Sequence, residues 1–287
     1  MIKELFKGKL IIIGLILSFM TGGALYAFLL PNIYKSEVLL APNSNGNQGG
    51  VSGLSSQLGG LASLAGVNIG SAENQKTTLA INIMKSRTFT IEFLNSYDYK
   101  AVITSVESWH AKDNQLIFID DVYDDVSKNW LLDIETGKSK EPTDLEMYES
   151  FHDSNFALNE DKESGLISLS ISHKSPYVAK TIATEFVSAI NSKVREMDIV
   201  ETTENLTYLQ EQLKGIENKE LQEVLYELIE QQMQKKMLAS SSASYVFKTI
   251  DPAYLPEKKS SPKRFLIIFV ASMFGAAIGF AIVVLRL

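Results

Sequence analysis

Two long apolar segments lie at the ends of the chain, at residues 10–30 and 265–285, and neither contains a charged residue. A hydrocarbon core of about 30 Å requires about 20 helical residues to cross it, which is the length of each segment. We therefore predict two transmembrane helices that cross one membrane in opposite directions. Both termini then lie on one side of the membrane, and residues 31–264 lie on the other.

An alternative interpretation of the first segment is a cleaved signal peptide, because Lys3, Lys7 and Lys9 precede it. Signal peptides have an apolar region of about 7–15 residues that ends in a small-residue cleavage site. This segment is longer and ends in Leu30 and Pro31. An uncleaved membrane anchor is therefore expected.

Basic residues flank the apolar segments on both sides of the predicted membrane. Their numbers are nearly equal, so the count of positive charges alone gives little preference for either orientation. The terminal side carries Lys3, Lys7, Lys9 and Arg286, and the domain side carries Lys35, Lys258, Lys259, Lys263 and Arg264. Because the first helix usually dominates orientation, the N-terminal lysines favour cytoplasmic termini and a domain outside the cytoplasm. The absence of cysteine suits an oxidising compartment, and the net charge of -7 gives no electrostatic basis for nucleic-acid binding.

The enclosed region mixes extended and helical patterns and therefore predicts an α+β fold. Residues 34–40 and 165–172 read as strands, and residues 245–250 read as a returning strand. Residues 76–97 read as one helix, and Thr143 with Glu146 forms a capping-box pattern. Four leucines in a glycine-rich stretch share one face of a predicted small-residue helix: Leu54, Leu58, Leu61 and Leu64.

A long helical pattern begins at Ser175-Pro176 and continues to Gly215, after which a second helix runs to about residue 238. At 1.5 Å per residue, the first helix would be on the order of 57 Å long. We therefore predict a helical hairpin that stands away from an α/β base. Its apolar face includes Leu206, Leu209, Leu213 and Ile216, and either an intramolecular coiled coil or a subunit interface would bury it.

Small residues recur at every fourth position in both apolar segments, which is the spacing that lets membrane helices approach closely. They are Gly14, Ser18 and Gly22 in the first segment and Ala271, Gly275 and Gly279 in the second. We predict that they pack membrane helices, within one copy or between copies. Pro252, Pro256 and Pro262 are expected to keep the linker extended where the chain returns to the membrane.

No pattern of catalytic, cofactor-binding or metal-ligating residues stands out. Lys76-Thr77 lacks the preceding glycine of a phosphate-binding loop, since Gln75 occupies that position. The acidic run at 120–125 lacks the glycine and terminal glutamate of a calcium loop. His110, His152 and His173 have no paired ligand spacing. We therefore predict no cofactor or metal site, while the acidic residues are plentiful and their spacing neither supports nor excludes a glycan-acting enzyme.

Several short motifs occur in a fixed order between the two terminal apolar segments. They are Pro31-x-x-Tyr34-x-Ser36, LGGLASLAG, Lys85-Ser86-Arg87 with Phe89, Trp109, Trp130, Pro142 with Tyr148 and Phe151, Gly165-Leu166, Ser175-Pro176, Ala189-Ile190-Asn191, Tyr208-Leu209, Gln212-Leu213, LIEQQMQKKMLA and FKTIDPAYLP. Each motif alone is weak, but their order and position resemble the Wzz family of polysaccharide chain-length determinants over nearly the whole chain.

The resemblance implies a non-catalytic regulator of O-antigen length in the bacterial inner membrane, with its main domain in the periplasm. The implied partners are further copies in a closed ring, with an octamer as the first expectation, the O-antigen polymerase, and the growing polysaccharide on its lipid carrier. The sequence shows no cytoplasmic tyrosine kinase domain, which favours the lipopolysaccharide branch. A capsule or exopolysaccharide co-polymerase, a two-helix periplasmic sensor subunit and a glycan-acting enzyme are the alternatives.

The expected organisation follows from these patterns. It comprises a cytoplasmic N-terminus (1–9), a membrane helix (10–30), a periplasmic base (31–175), a helical hairpin (176–240), a returning strand with a proline-rich linker (241–264) and a second membrane helix (265–285).

Overall fold

The protein is described from a computed structural model that covers residues 2–43, 72–241 and 244–285. Its helices are α1 (Ile2–Leu29), α2 (Ala72–Lys85), α3 (Arg87–Ser96), α4 (Lys100–Thr104), α5 (Asp144–Ser150), α6 (Pro176–Lys214), α7 (Lys219–Ser241) and α8 (Arg264–Leu285). Its strands are β1 (Tyr34–Pro42), β2 (Val106–His110), β3 (Gln115–Phe118), β4 (Tyr123–Asp124), β5 (Asn129–Trp130), β6 (Phe156–Glu160), β7 (Ile167–His173) and β8 (Phe247–Asp251). A π-helical turn, Phe151–Asn155, connects α5 to β6.

The two terminal helices are long and apolar enough to cross a membrane, over Ile12–Leu29 and Arg264–Val284. They pack against each other along their length. The remaining elements form a mixed base and a long helical hairpin. The predicted α+β fold with two terminal membrane-helix candidates and a hairpin is therefore confirmed.

One antiparallel sheet organises the base, in the order β6-β7-β1-β8. β1, which directly follows α1, lies between β7 and β8. Strands from the middle and the end of the chain therefore pair with the first strand. Val38 pairs with Leu169, and Leu40 pairs with Ile167. All four side chains are buried, in keeping with the alternating burial along β1, where Ser36, Val38 and Leu40 face the core.

The first half of α6 covers this sheet and belongs to the same core. Its buried residues contact those of β1, β7 and β8, and they include Ile182, Phe186, Ile190 and Val194. The Phe186 ring centroid lies 5.3 Å from that of Phe89 and 5.0 Å from that of Phe93, both in edge-to-face geometry. The base core thus continues about five turns beyond residue 176, where the hairpin was predicted to begin.

Local sequence signals fix several helix ends as predicted. Thr143 and Glu146 form the reciprocal capping box of α5, Ser175 caps α6 ahead of Pro176, and Gly215 ends α6. The prediction of one helix over residues 76–97 is wrong, because Ser86 separates α2 from α3. The Ser86 hydroxyl accepts the Phe89 amide hydrogen and so starts a new helix.

Beyond Val194, α6 leaves the hydrophobic core, contacts Lys76 and Tyr245 through Asp198, and then packs on α7, which returns antiparallel to it. Lys235 of α7 forms an ion pair with Glu201 of α6 at 3.7 Å, and Gln222 donates to the Ile216 carbonyl at 2.6 Å near the turn. Two small hairpins, β2–β3 and β4–β5, form a satellite cluster around Val106, Phe118 and Tyr123. The predicted helix carrying Leu54, Leu58, Leu61 and Leu64 lies outside the described residues.

Candidate assembly and membrane surfaces

The contact between α1 and α8 depends on glycine at two positions of α8. A Cβ atom added at Gly275 would lie 2.9 Å from the Leu15 carbonyl oxygen and 3.0 Å from the Ile16 Cα. A Cβ atom added at Gly279 would lie 3.0 Å from the Ile12 Cα. The approach at Gly275 requires the α1 backbone to move, whereas the approach at Gly279 requires a shift of only a few tenths of an ångström. The two helices therefore meet backbone to backbone, as small residues permit in lipid.

On α1 the contact uses a different glycine from the ones predicted. A Cβ atom added at Gly23 would lie 2.6 Å from the Ala271 Cβ, whereas Gly14 and Gly22 have nothing within 4 Å of that position. Ala271, Gly275 and Gly279 thus lie in the contact within one copy, and Gly14 and Gly22 do not. A contact of Gly14, Ser18 and Gly22 with another helix stays a prediction. The adjacent glycines at 22 and 23 were the available signal, but sequence alone does not say which one faces α8.

Hydrogen bonds join the end of α1 to the start of α8 on the side of the base. The Ile33 amide donates to the Ser261 carbonyl at 2.9 Å, and the Ser260 amide donates to the Ile33 carbonyl at 2.8 Å. The Arg264 guanidinium donates to the Ala27 carbonyl and to the Asn32 side-chain oxygen, both at 3.0 Å. The start of α8 is therefore tied to the end of α1.

The proline linker between β8 and α8 lies against the base. Pro256 is buried, Pro262 is half-buried and Pro252 is exposed. The buried Ser36 hydroxyl of β1 donates to the Tyr254 carbonyl at 2.8 Å and so holds the linker between the first two prolines. This contact joins two of the quoted motifs, the one that contains Ser36 and the one that contains Tyr254.

The hairpin face predicted from sequence is the seam between its two helices. Leu206, Leu209, Leu213 and Ile216 are half-buried where α6 packs on α7. Their part in a contact between copies stays a prediction.

Exposed apolar residues lie on both sides of this seam along α7. One flank carries Leu221, Val224 and Leu228, and the other carries Tyr226, Met233 and Met237. Each set keeps helical spacing, and Met237 is 69% exposed. The structure thus leaves two apolar flanks of α7 open to solvent.

One polar cluster joins the part of α6 just beyond the core to the base. Asp198 of α6 lies 2.8 Å from the Lys76 ammonium of α2, and the Tyr245 hydroxyl also donates to it. Burial alone would raise the pKa of Asp198, but the hydrogen bonds from Lys76 and Tyr245 outweigh burial and lower it. Lys76 also lies over the Tyr245 ring, 3.5 Å from the centroid. The cluster joins α2, α6 and the segment before β8 through one carboxylate.

The three histidines lie in separate environments. His110 contacts Asp113 at 2.9 Å, and the His152 ring packs on Tyr148. His173 is buried: its Nδ1 accepts the Ser175 amide hydrogen, so its Nε2 donates to the Val102 carbonyl, each at 3.0 Å. Burial lowers the pKa of His173 to about 4, so the ring is neutral at physiological pH.

The acidic run is exposed and held by local contacts. Asp124 accepts from the Val126 amide and the Ser127 hydroxyl, which lowers the pKa of that carboxyl. Asp121 pairs with Lys140 at 3.2 Å, and Asp125 pairs with Lys128. Within the described ranges, no group of three His, Asp or Glu side chains could hold a metal ion.

Two family models match the chain, one at each end. Residues 1–97 match the Wzz model, described as chain length determinant protein. Residues 209–287 match the GNVR model, described as a G-rich domain on putative tyrosine kinases. The first match includes α1 and β1, and the second includes the end of α6 and the whole of α7, β8 and α8. The chain thus carries a chain-length-determinant match at one end and a G-rich-domain match at the other, and each match includes one of the two membrane-helix candidates.

The matches at the two ends agree with the resemblance to Wzz chain-length determinants that the sequence motifs predicted. Among solved structures, a full-length bacterial polysaccharide co-polymerase is similar at 13% identity and a TM-score of 0.42, over 100% of this chain and 96% of that chain. A fragment of WzzB, a polysaccharide co-polymerase from Salmonella Typhimurium, is similar at 13% identity and a TM-score of 0.35, over 80% of this chain and 100% of the fragment. No curated protein sequence matches the chain significantly.

Proposed function

We propose that the protein regulates the length of O-antigen polysaccharide without catalysing its synthesis. In this account it forms a homo-oligomeric ring in the bacterial inner membrane, with the base and hairpin in the periplasm, and acts with the O-antigen polymerase on polysaccharide held by a lipid carrier. An octamer is the working stoichiometry. The match of the first 97 residues to chain length determinant proteins supports this role.

The observation that carries the assembly part of the proposal is the pair of apolar flanks on α7. A closed ring forms by head-to-tail contacts, which need two different surfaces on each copy. The flank with Leu221, Val224 and Leu228 and the flank with Tyr226, Met233 and Met237 lie on opposite sides of the seam. Burying such side chains against a neighbour would stabilise the assembly by roughly 25 cal/mol per Å² of apolar area.

A capsule or exopolysaccharide role is the second candidate, and a specific match favours it. Residues 209–287 resemble a domain found on putative tyrosine kinases. A deletion strain separates the two roles, since lipopolysaccharide and capsule can be analysed from the same cells. If the protein regulates O-antigen, we expect the lipopolysaccharide ladder of the deletion strain to lose its modal length while the amount and size of its capsule stay unchanged. A changed capsule with an intact ladder would favour the second candidate.

The orientation has its own test. A phosphatase fused within residues 43–50 should be active, because the periplasm supports folding of that reporter. A fusion after Leu287 should be inactive. The reverse pattern would place the base in the cytoplasm and overturn the proposed localisation, whichever polysaccharide is involved.

A further inference from the structure

Four basic residues lie next to α8 on the side of the base. The positive-inside rule places basic residues on the opposite, cytoplasmic side, so it does not explain them. Lys258, Lys259, Lys263 and Arg264 are here called the basic collar. Arg264 and Lys259 donate hydrogen bonds to the Asn32 side-chain oxygen, at 3.0 and 3.2 Å. This amide oxygen is uncharged, so it does not neutralise either residue. In residues 2–43, 72–241 and 244–285, no carboxylate lies within 4.0 Å of any collar nitrogen, neighbouring Glu257 included. The collar therefore keeps its positive charge on a chain whose net charge is -7.

Directly below the collar, α1 and α8 enclose an open groove of about 670 Å³ with an almost wholly apolar lining. On α1 it extends from Ser18 through Gly22 to Tyr26, and on α8 it includes Ile267 and Phe274. Eight residues of helix rise about 12 Å. Half of a hydrocarbon core of about 30 Å is one leaflet. The groove thus has the depth of a single leaflet, on the side nearest the base.

The collar and the groove lie on one line along α8. The Lys263 carbonyl accepts the amide hydrogens of Leu266 and Ile267 at 2.9 and 3.3 Å, so Lys263 is the N-cap residue of α8 and directly precedes its first turn. Lys263 precedes four groove residues by helical spacings of three, four, seven and eleven: Leu266, Ile267, Val270 and Phe274. The exposed Lys263 ammonium therefore lies at the mouth of the groove.

We propose that the groove and the basic collar hold one anionic phospholipid of the leaflet on the domain side. The phosphate would pair with Lys263 and Arg264, and an acyl chain would occupy the groove. The charge complementarity selects this occupant, because basic pockets between membrane helices retain anionic headgroups. A zwitterionic lipid would bring its own positive group to the collar and gain little from it. The inference does not depend on which polysaccharide the protein regulates.

The test is native mass spectrometry of the full-length chain in detergent, supplemented with phosphatidylglycerol or with phosphatidylcholine of the same acyl chains. Phosphatidylglycerol should be retained at least fivefold better, at one lipid per chain. Lys263→Gln should reduce that retention about fivefold, because one cation near a lipid phosphate contributes on this scale. Lys219→Gln, at the hairpin tip, removes the same charge far from the collar and should have no effect.

A second pair of variants tests the groove itself. Gly22→Leu adds a side chain inside the groove, where nothing lies within 4 Å of an added Cβ, and it should abolish selective retention. Gly14→Leu adds the same side chain in equally open space outside the groove and should retain the lipid. Equal retention of both lipids, or equal effects of the two leucines, would overturn the proposal. Cross-linking of a second copy through the groove, with lipid excluded, would overturn it as well.

Discussion

Asn191 of α6 and Phe247 of β8 hold each other through two hydrogen bonds across 56 positions of sequence. The Asn191 side-chain oxygen accepts the Phe247 amide hydrogen at 2.9 Å, and its Nδ2 donates to the Phe247 carbonyl at 3.2 Å. The same oxygen accepts from the Val246 amide at 2.8 Å. This buried amide fixes the strand that returns from the hairpin, and β8 then leads through the proline linker to α8.

Asn191→Leu should therefore destabilise the base. The substitution leaves the buried amides of Val246 and Phe247 without their side-chain acceptor, which costs about 1–3 kcal/mol for each unsatisfied group. We expect a lower thermal midpoint for the full-length chain in detergent, followed by tryptophan fluorescence. Asn205→Leu, at an exposed position of the same helix, should leave the midpoint nearly unchanged. Equal midpoints for the two variants would contradict the anchoring role.

Gly275→Leu should separate the membrane helices, because its Cβ would lie 2.9 Å from the Leu15 carbonyl oxygen. The cysteine-free chain permits a clean test. Cysteines at Ile12 and Gly279 should form a disulfide, since a Cβ at Gly279 lies 3.5 Å from that of Ile12. After cleavage at a protease site inserted into residues 44–50, the disulfide would hold the fragments together on a gel. Gly275→Leu should abolish this link and Gly14→Leu should retain it.

We expect the base to lose stability in mild acid, because the buried His173 ring must then become protonated. Its pKa is about 4 when folded and 6.5 when unfolded, so the neutral ring stabilises the fold fully above pH 6.5. That contribution, roughly 3 kcal/mol, is lost progressively as the pH falls from 6.5 towards 4. Chemical unfolding between pH 7 and 4.5 should show this decline, and His173→Gln should flatten it. An equally steep decline in the variant would exclude His173 as its source.

The seam and the flanks of the hairpin should respond differently to charge. Leu213→Asp places a carboxylate in the half-buried seam and should open the outer part of α6 and α7. Hydrogen exchange of residues 206–232 should then speed up. Met237→Asp, on an exposed flank, should keep the hairpin protected and instead reduce the size of the detergent-solubilised oligomer. If Met237→Asp leaves the oligomer intact, this flank is not a contact between copies.

The features that sequence predicted well have strong local causes. Membrane-helix length, the capping box at Thr143 and the helix end at Gly215 each depend on residues close together in the chain. The break at Ser86 was missed because apolar periodicity continues across it while one hydroxyl starts a new helix. The short strands from β2 to β6 were missed because they have two to five residues each, too few for a clear period.

The surfaces were harder to predict, since they depend on contacts between distant segments. Four-residue spacing of small residues marks the face with Gly22, but the packing on α8 uses Gly23, which has the large residue Phe19 four positions before it. Likewise, the leucine face of α6 was clear, but α7 half-buries it and leaves apolar flanks elsewhere. Sequence periodicity identifies an apolar face without naming its partner.

The central claim is that chain length is set by the geometry of an assembly, without catalysis by this protein. It is tested most directly by silver-stained lipopolysaccharide from a deletion strain complemented with single variants, with membrane protein levels matched by blot. Asparagine substitutions in the exposed acidic run, at Asp120, Asp121, Asp124 and Asp125, should keep long polymer and at most shift its distribution. Gly275→Leu and Leu213→Asp should give long polymer without a modal length. Complete loss of long polymer from one carboxylate substitution at normal protein level would contradict the account and favour an enzymatic role.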